Sequence, residues 1–163
     1  MTGAEIRDYQ RSLIRAFVES VDWRGRVLDY GCDLAPYREI VEKTAEWHGF
    51  NRVEFPSGHQ KADVGDDLPL SHKWDMILCT QVFQYVPYPA DLLRRFHATG
   101  ATLVLTYATN WPEVENHDWF RYTRTGMEAL LEQYWEIVRH EQIGCIEFGD
   151  REQLALGYGV VAT

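Results

Sequence analysis

The chain has 163 residues, 45% of them hydrophobic and 25% charged, with a formal net charge of −9. That length and balance fit one globular domain that buries its own core without metal or disulfide staples, and they exclude a disordered segment. The acidic balance disfavours nucleic acid and anionic membranes, because phosphate binding draws on a basic face and the longest basic run is Arg94-Arg95.

A protein partner or a neutral-to-cationic small molecule stays open as ligand. The three cysteines, Cys32, Cys79 and Cys145, are odd in number, widely spaced and without a CxxC pair, which argues against a disulfide framework or a zinc site. No metal is therefore expected, and free thiols point to a reducing cytoplasm. Met1-Thr-Gly-Ala-Glu5 carries no basic segment followed by an apolar run, and no apolar stretch has transmembrane length. Aromatic residues make up 13% of the chain, a surplus that either lines a pocket or fills a small core.

The first predicted element is a helix, because Ile6, Tyr9, Leu13, Ile14, Phe17, Val18 and Val21 recur at steps of three and four. Arg26 to Tyr30 reads as a buried strand ending on an acid and then Gly31, followed by a helix over Pro36–Lys43 with Pro in its first turn. Glu46 to Asn51 is a second strand, and Arg52 to Lys61 is too broken by Pro56 and Gly58 for a helix. Trp74 to Cys79 is the clearest internal strand. A helix over Ala90–His97, stopped by Gly100, then precedes the strand Ala101–Tyr107.

A polar and aromatic loop runs over 108–122, and Thr123 or Thr125 caps a helix carrying Met127, Leu130, Leu131 and Tyr134. Trp135–Cys145 and Gln153–Val161 read as two final strands joined by a turn. Strands alternating with helices predict an α/β fold over residues 1–163. We expect a mostly parallel sheet with helices on both faces, Arg26–Tyr30 in its middle and an antiparallel C-terminal strand. Ligands of such sheets bind beyond the carboxyl ends of the strands.

The order strand, Asp29, Tyr30, Gly31, Cys32, Asp33, Leu34, Ala35 resembles motif I of the class I S-adenosylmethionine (SAM) methyltransferases, a Rossmann-like family whose pattern there is Gly-x-Gly-x-Gly. Ala62-Asp63 with Leu68-Pro69, the strand from Trp74-Asp75 to Thr80-Gln81, and His117-Asp118-Trp119-Phe120-Arg121-Tyr122 resemble later motifs of a small methyltransferase-domain subgroup, in the family's order. The resemblance implies SAM as cofactor, with Asp29 and Gly31 at its methionine part. It implies Asp63 at the adenine amino group and Thr80 and Gln81 beside the sulfonium. Asp33 and Ala35 replace the second and third glycines, and Asn51 replaces the acid that holds the ribose hydroxyls. Gln84-Tyr85 stands where the subgroup often has Glu-His.

The implied activity is methyl transfer to a small-molecule acceptor, with His117 as base, Asp118 as its orienter, and Tyr85, Tyr107 and Tyr122 lining the pocket. Plainer readings stand beside these. Asp29 orders a loop, Asp63 caps a turn, His117 is a surface residue, and Asp118 simply pairs with Arg121. Trp111, Trp119 and Phe120 either cage a cation or seal the loop over the core. The alternative function is a catalytically silent domain of the same fold that binds a protein partner. A Rossmann dehydrogenase is disfavoured, because Gly31-x-Asp33-x-Ala35 does not reproduce GxGxxG.

Overall fold

The apolar stripe at the start of the chain forms a helix, α1 (Gly3–Glu19), which buries Ile14, Phe17 and Val18. It belongs to a computed structural model that describes residues 3–51, 60–61, 72–110, 118–148 and 152–163. Among the described residues seven strands follow in one sheet: β1 (Arg26–Tyr30), β2 (Glu46–Asn51), β3 (Gln60–Lys61), β4 (Met76–Thr80), β5 (Thr102–Ala108), β6 (Ile137–Phe148) and β7 (Glu152–Ala162). Their spatial order is β3-β2-β1-β4-β5-β7-β6. The first five are parallel to one another, whereas β7 runs antiparallel to both β5 and β6. β1 and β4 are thus adjacent at the middle of the sheet, as the sequence predicts.

Strand side chains alternate between faces, and the two faces build two cores. On one face Val27, Met76, Leu78 and Val104 meet Phe17 and Val18 of α1 and Ile40 and Val41 of the short helix α2 (Arg38–Val41). On the other, Leu28, Ile77, Leu103 and Leu105 meet Leu92, Leu93 and Phe96 of α3 (Pro89–His97) and Met127 and Leu131 of α4 (Arg124–Leu131). Both central strands are apolar on successive residues because both faces are covered.

Several boundaries differ from the sequence reading for local reasons. The helix expected over Pro36–Lys43 shrinks to Arg38–Val41, with Tyr37 as its N-cap and Glu42 as its C-cap. After it, the Thr44 hydroxyl donates to the Trp23 carbonyl at 2.7 Å and draws the chain into β2. β4 starts at Met76; Asp75, before it, accepts from the Arg26 amide at 2.7 Å and aligns the entry to β1. Thr123, not Thr125, is the cap of α4, its Oγ1 accepting from the Gly126 amide at 3.1 Å. Among the described residues no helix is long and apolar enough to cross a membrane.

Candidate active site

A cleft of about 470 Å³ opens above the carboxyl ends of β1, β2 and β4, where ligands of parallel sheets sit, and its size suits a small molecule. Its floor is the turn that leaves β1. Gly31, Asp33 and Ala35 there have φ of 75°, 48° and 53°, so every second residue is left-handed. The backbone of a Gly-x-Gly-x-Gly turn is therefore retained with glycine at the first position alone. That conformation costs an L-residue about 1–2 kcal/mol, least for Asp and Asn.

Hydrogen bonds hold this turn in place. The Gly31 and Cys32 amides both donate to the Phe50 carbonyl at 2.8 and 3.2 Å, and the Ala35 amide donates to Cys32 O at 2.7 Å. Asn51, at the end of β2, donates from Nδ2 to the Asp33 carbonyl at 3.3 Å. Gly31 has no alternative residue, because a Cβ there would lie 2.4 Å from Cγ2 of Val82 in the loop after β4. Thr80 and Gln81 line the same cleft, and Gln81 is also left-handed, with φ of 55°.

Asp29 is fully buried behind this turn. Its Oδ2 accepts from Trp47 Nε1 at 3.0 Å, while Oδ1 has no partner among the described residues. Burial raises its carboxyl from the ordinary 3.8 to about 7, and the Trp47 bond offsets part of that rise. Burial, with the Asp29 charge behind it, pushes the Cys32 thiol up to about 12, which leaves it inert as a nucleophile.

The loops after β4 and β5 meet at Gln84. Its carbonyl accepts from the Trp119 amide at 2.7 Å and from the Phe120 amide at 3.3 Å. Its side chain is buried in the cleft wall, with Nε2 donating to Gln81 O at 2.7 Å and Oε1 unpartnered among the described residues. Tyr85 lines the cleft beside it. Asp118 has a buried carboxylate held by the Arg121 guanidinium. Trp119 is 59% exposed, so it does not seal the loop over the core.

Two expectations need correction. Tyr107 and Tyr122 are buried in the core instead of lining the cleft. Tyr107 shares a 2.9 Å hydrogen bond with His140 Nε2, and the Tyr122 hydroxyl donates to the Phe83 carbonyl at 3.3 Å. Both hydroxyls thus find partners beneath the sheet surface. Asp63, Trp111 and His117 lie outside the described residues. The sequence reading also missed Arg7, Gln10 and Arg11, which line the cleft from α1. Their spacing of three and four on one helical face was the available signal.

A family model described as a methyltransferase domain matches residues 3–155. The chain belongs to this methyltransferase-domain family. No curated protein sequence matches it significantly. Its fold is similar to that of a SAM-dependent methyltransferase from Mesorhizobium loti, at 16% identity over 94% of this chain and 97% of that one, with a TM-score of 0.67. A putative methyltransferase of Haloferax volcanii, in complex with the Trm112 activator, gives 14% identity, 98% and 91% coverage, and a TM-score of 0.69. The 1,6-didemethyltoxoflavin-N1-methyltransferase of Burkholderia thailandensis, with its substrate and S-adenosylhomocysteine (SAH) bound, gives 15%, 94% and 77%, and 0.66.

SAM is the cofactor that goes with this methyltransferase-domain fold, and the site has the features it requires. The turn keeps its left-handed backbone, Gly31 leaves the close approach to Val82 free of a side chain, and Asp29 carries a buried oxygen without a partner among the described residues. Arg7 and Arg11 place two cations on the cleft that also holds Asp33.

Two measurements follow from this geometry. Ala35→Gly should raise stability by about 1 kcal/mol in chemical denaturation, and Asp33→Gly by less, because the strain removed outweighs the added chain entropy. Asp29 binds its proton more tightly folded than unfolded. Its favourable contribution is therefore present below pH 3.8 and lost as pH rises to about 7. Asp29→Asn should accordingly gain stability over wild type as pH rises across that window, by a few kcal/mol. A pH-independent gap between the two proteins would show that burial of the charge is not what governs Asp29.

Proposed function

We propose that this domain is a SAM-dependent methyltransferase acting on a small-molecule acceptor. The observation that carries the reading is the open cleft above a motif I turn whose left-handed backbone survives at Gly31, Asp33 and Ala35. A silent domain would be expected to fill that cleft with a side chain. A protein partner is compatible with the same reading, as the activator complex of the Haloferax neighbour illustrates. Activity in the cytoplasm is part of the proposal.

In this reading the cofactor supplies a sulfonium-activated methyl group, and the chain supplies position. Gly31 and Asp33 form the turn that cradles it, with Asp29 at its methionine part. Asn51 and Asp63 hold its nucleoside part, and Thr80 and Gln81 flank the reacting end. Asn51 gives a hydroxyl a neutral acceptor in place of a charged one, a weaker bond by about half. On the acceptor side, Tyr85 forms the wall and His117 removes the acceptor's proton. Asp118, already held by Arg121, keeps the loop that carries His117 in register.

Calorimetric titration with SAM and SAH is the direct test, and saturable binding of both is expected. Asp33→Gly should bind SAM about fivefold more tightly, by removing an exposed carboxylate near the amino-acid end of the ligand. Ala35→Gly, which relieves the same backbone without changing charge, should not. Equal tightening in the two variants would assign the effect to the backbone.

A second measurement concerns the base. His117→Ala should lower the rate of SAH release in the presence of an acceptor by about 100-fold, with SAH affinity unchanged. An unchanged rate would remove His117 from the mechanism.

A further inference from the structure

The helix α1 climbs the sheet towards the carboxyl ends of the strands. Phe17 lies beside Gly159, which pairs with Thr106 inside β5. Leu13 and Tyr9 lie beside Gly144, one residue past the level at which β5 ends. Arg7 stands further along the same axis, beyond Leu13 by about 9 Å at the rise of an α-helix. It therefore belongs to the mouth of the cleft, whereas Gly31 and Asp33 belong to the floor.

The charge of this wall departs from that of the chain. Among the described residues Arg7 and Arg11 are the cations of the cleft lining and Asp33 its acid, which leaves a positive excess inside a protein of net charge −9. Arg38, Arg94, Arg124 and Arg139 each hold a carboxylate at 2.9 Å or less. Arg7 holds none among the described residues. Arg11 reaches Asp8 at 3.9 Å between exposed side chains, a contact worth little in water. Gln10, on the same wall, is 8% exposed and has no hydrogen-bond partner among the described residues. Its amide keeps accessible surface, unlike Gln84 Oε1, so a ligand can reach it.

A guanidinium without an acid, close to a neutral N–H donor on a cavity wall, suits a carboxylate. A small positive excess matches a monoanion better than a dianion such as a phosphate monoester. The charge of the whole chain favours a neutral or cationic ligand, and the lining reverses that preference locally. We propose that the acceptor bound in this cleft is a small molecule carrying one carboxylate, held at the mouth by Arg7 with Gln10 as a second donor. The inference deepens the methyltransferase reading and rests on it in giving the floor to the cofactor. Arg7 is then a specificity-determining residue, because it separates an acid from the amide of the same shape.

Ligand-observed NMR titrations at low salt test this, run with and without saturating SAH. Benzoate and cyclohexanecarboxylate should bind about tenfold more tightly than benzamide and cyclohexanecarboxamide, and benzylamine should not bind measurably. Arg7→Gln should erase the preference for the acids and leave SAH affinity unchanged. Arg24→Gln, at an exposed position outside the cleft lining, should change neither. The proposal is overturned if the amides bind as well as the acids, if no fragment binds, or if SAH displaces the acids. It is overturned equally if Arg24→Gln acts like Arg7→Gln, which would make the effect one of overall charge. Weaker SAH binding in Arg7→Gln, with methylthioadenosine unaffected, would give Arg7 to the carboxylate of the cofactor and also overturn it. Failure of SAH to bind would sink the methyltransferase reading, whereas the ranking of acids over amides without SAH still decides the carboxylate site.

Discussion

Val82 occupies the space where a side chain of residue 31 would be. This contact joins the turn after β1 to the loop after β4, and the cleft exists because the two segments approach so closely. The Phe50 carbonyl, receiving both the Gly31 and Cys32 amides, ties the same turn to β2. Three strand ends are thus pinned to one short piece of backbone. The left-handed conformations at Asp33 and Ala35 persist because this surrounding structure holds them, even where the residues themselves resist.

A buried carboxylate lies under that turn. Among the described residues Asp29 has one oxygen bonded and one not, a costly state in an interior. The cost is local, since β1 and β4 around it are otherwise apolar and well covered. Such a group resembles the polar atoms of ligand sites more than those of structural cores, where lone pairs are normally satisfied. The polar chain Glu128–His140–Tyr107 under α4 makes the contrast. There His140 bonds Glu128 at 2.8 Å and Tyr107 at 2.9 Å, leaving neither ring nitrogen open.

Much of this was legible in the sequence where a residue type has a single physical use. An apolar strand, an acid and then glycine fixed the position of the turn, and alternating elements fixed a parallel sheet with a reversed end. A threonine cap was legible at Thr123 or Thr125, and the structure decides for Thr123, whose hydroxyl accepts from the Gly126 amide three residues on. The failures come from side chains with several uses. Tyr107 and Tyr122 looked like pocket residues, but a tyrosine whose hydroxyl finds an internal partner is also good core material, and that partner is remote in sequence. Gln84 was noticed only as a departure from Glu in the subgroup's pattern; that it joins the loops after β4 and β5 is a property of three-dimensional surroundings. Arg7, Gln10 and Arg11 share one face of α1 by their spacing, but that spacing alone does not say that the face borders the cleft.

The mounting of Trp119 and Phe120 has a consequence for how such a domain diversifies. Trp119 and Phe120 are fastened to Gln84 through their amides, and any residue except proline carries an amide. Their side chains project from an attachment that does not depend on what they are. These two side chains can therefore change while the loop keeps its path and the turn after β1, fixed separately at Phe50 and Val82, is left alone. The course of the loop is thereby decoupled from the identity of the side chains it displays.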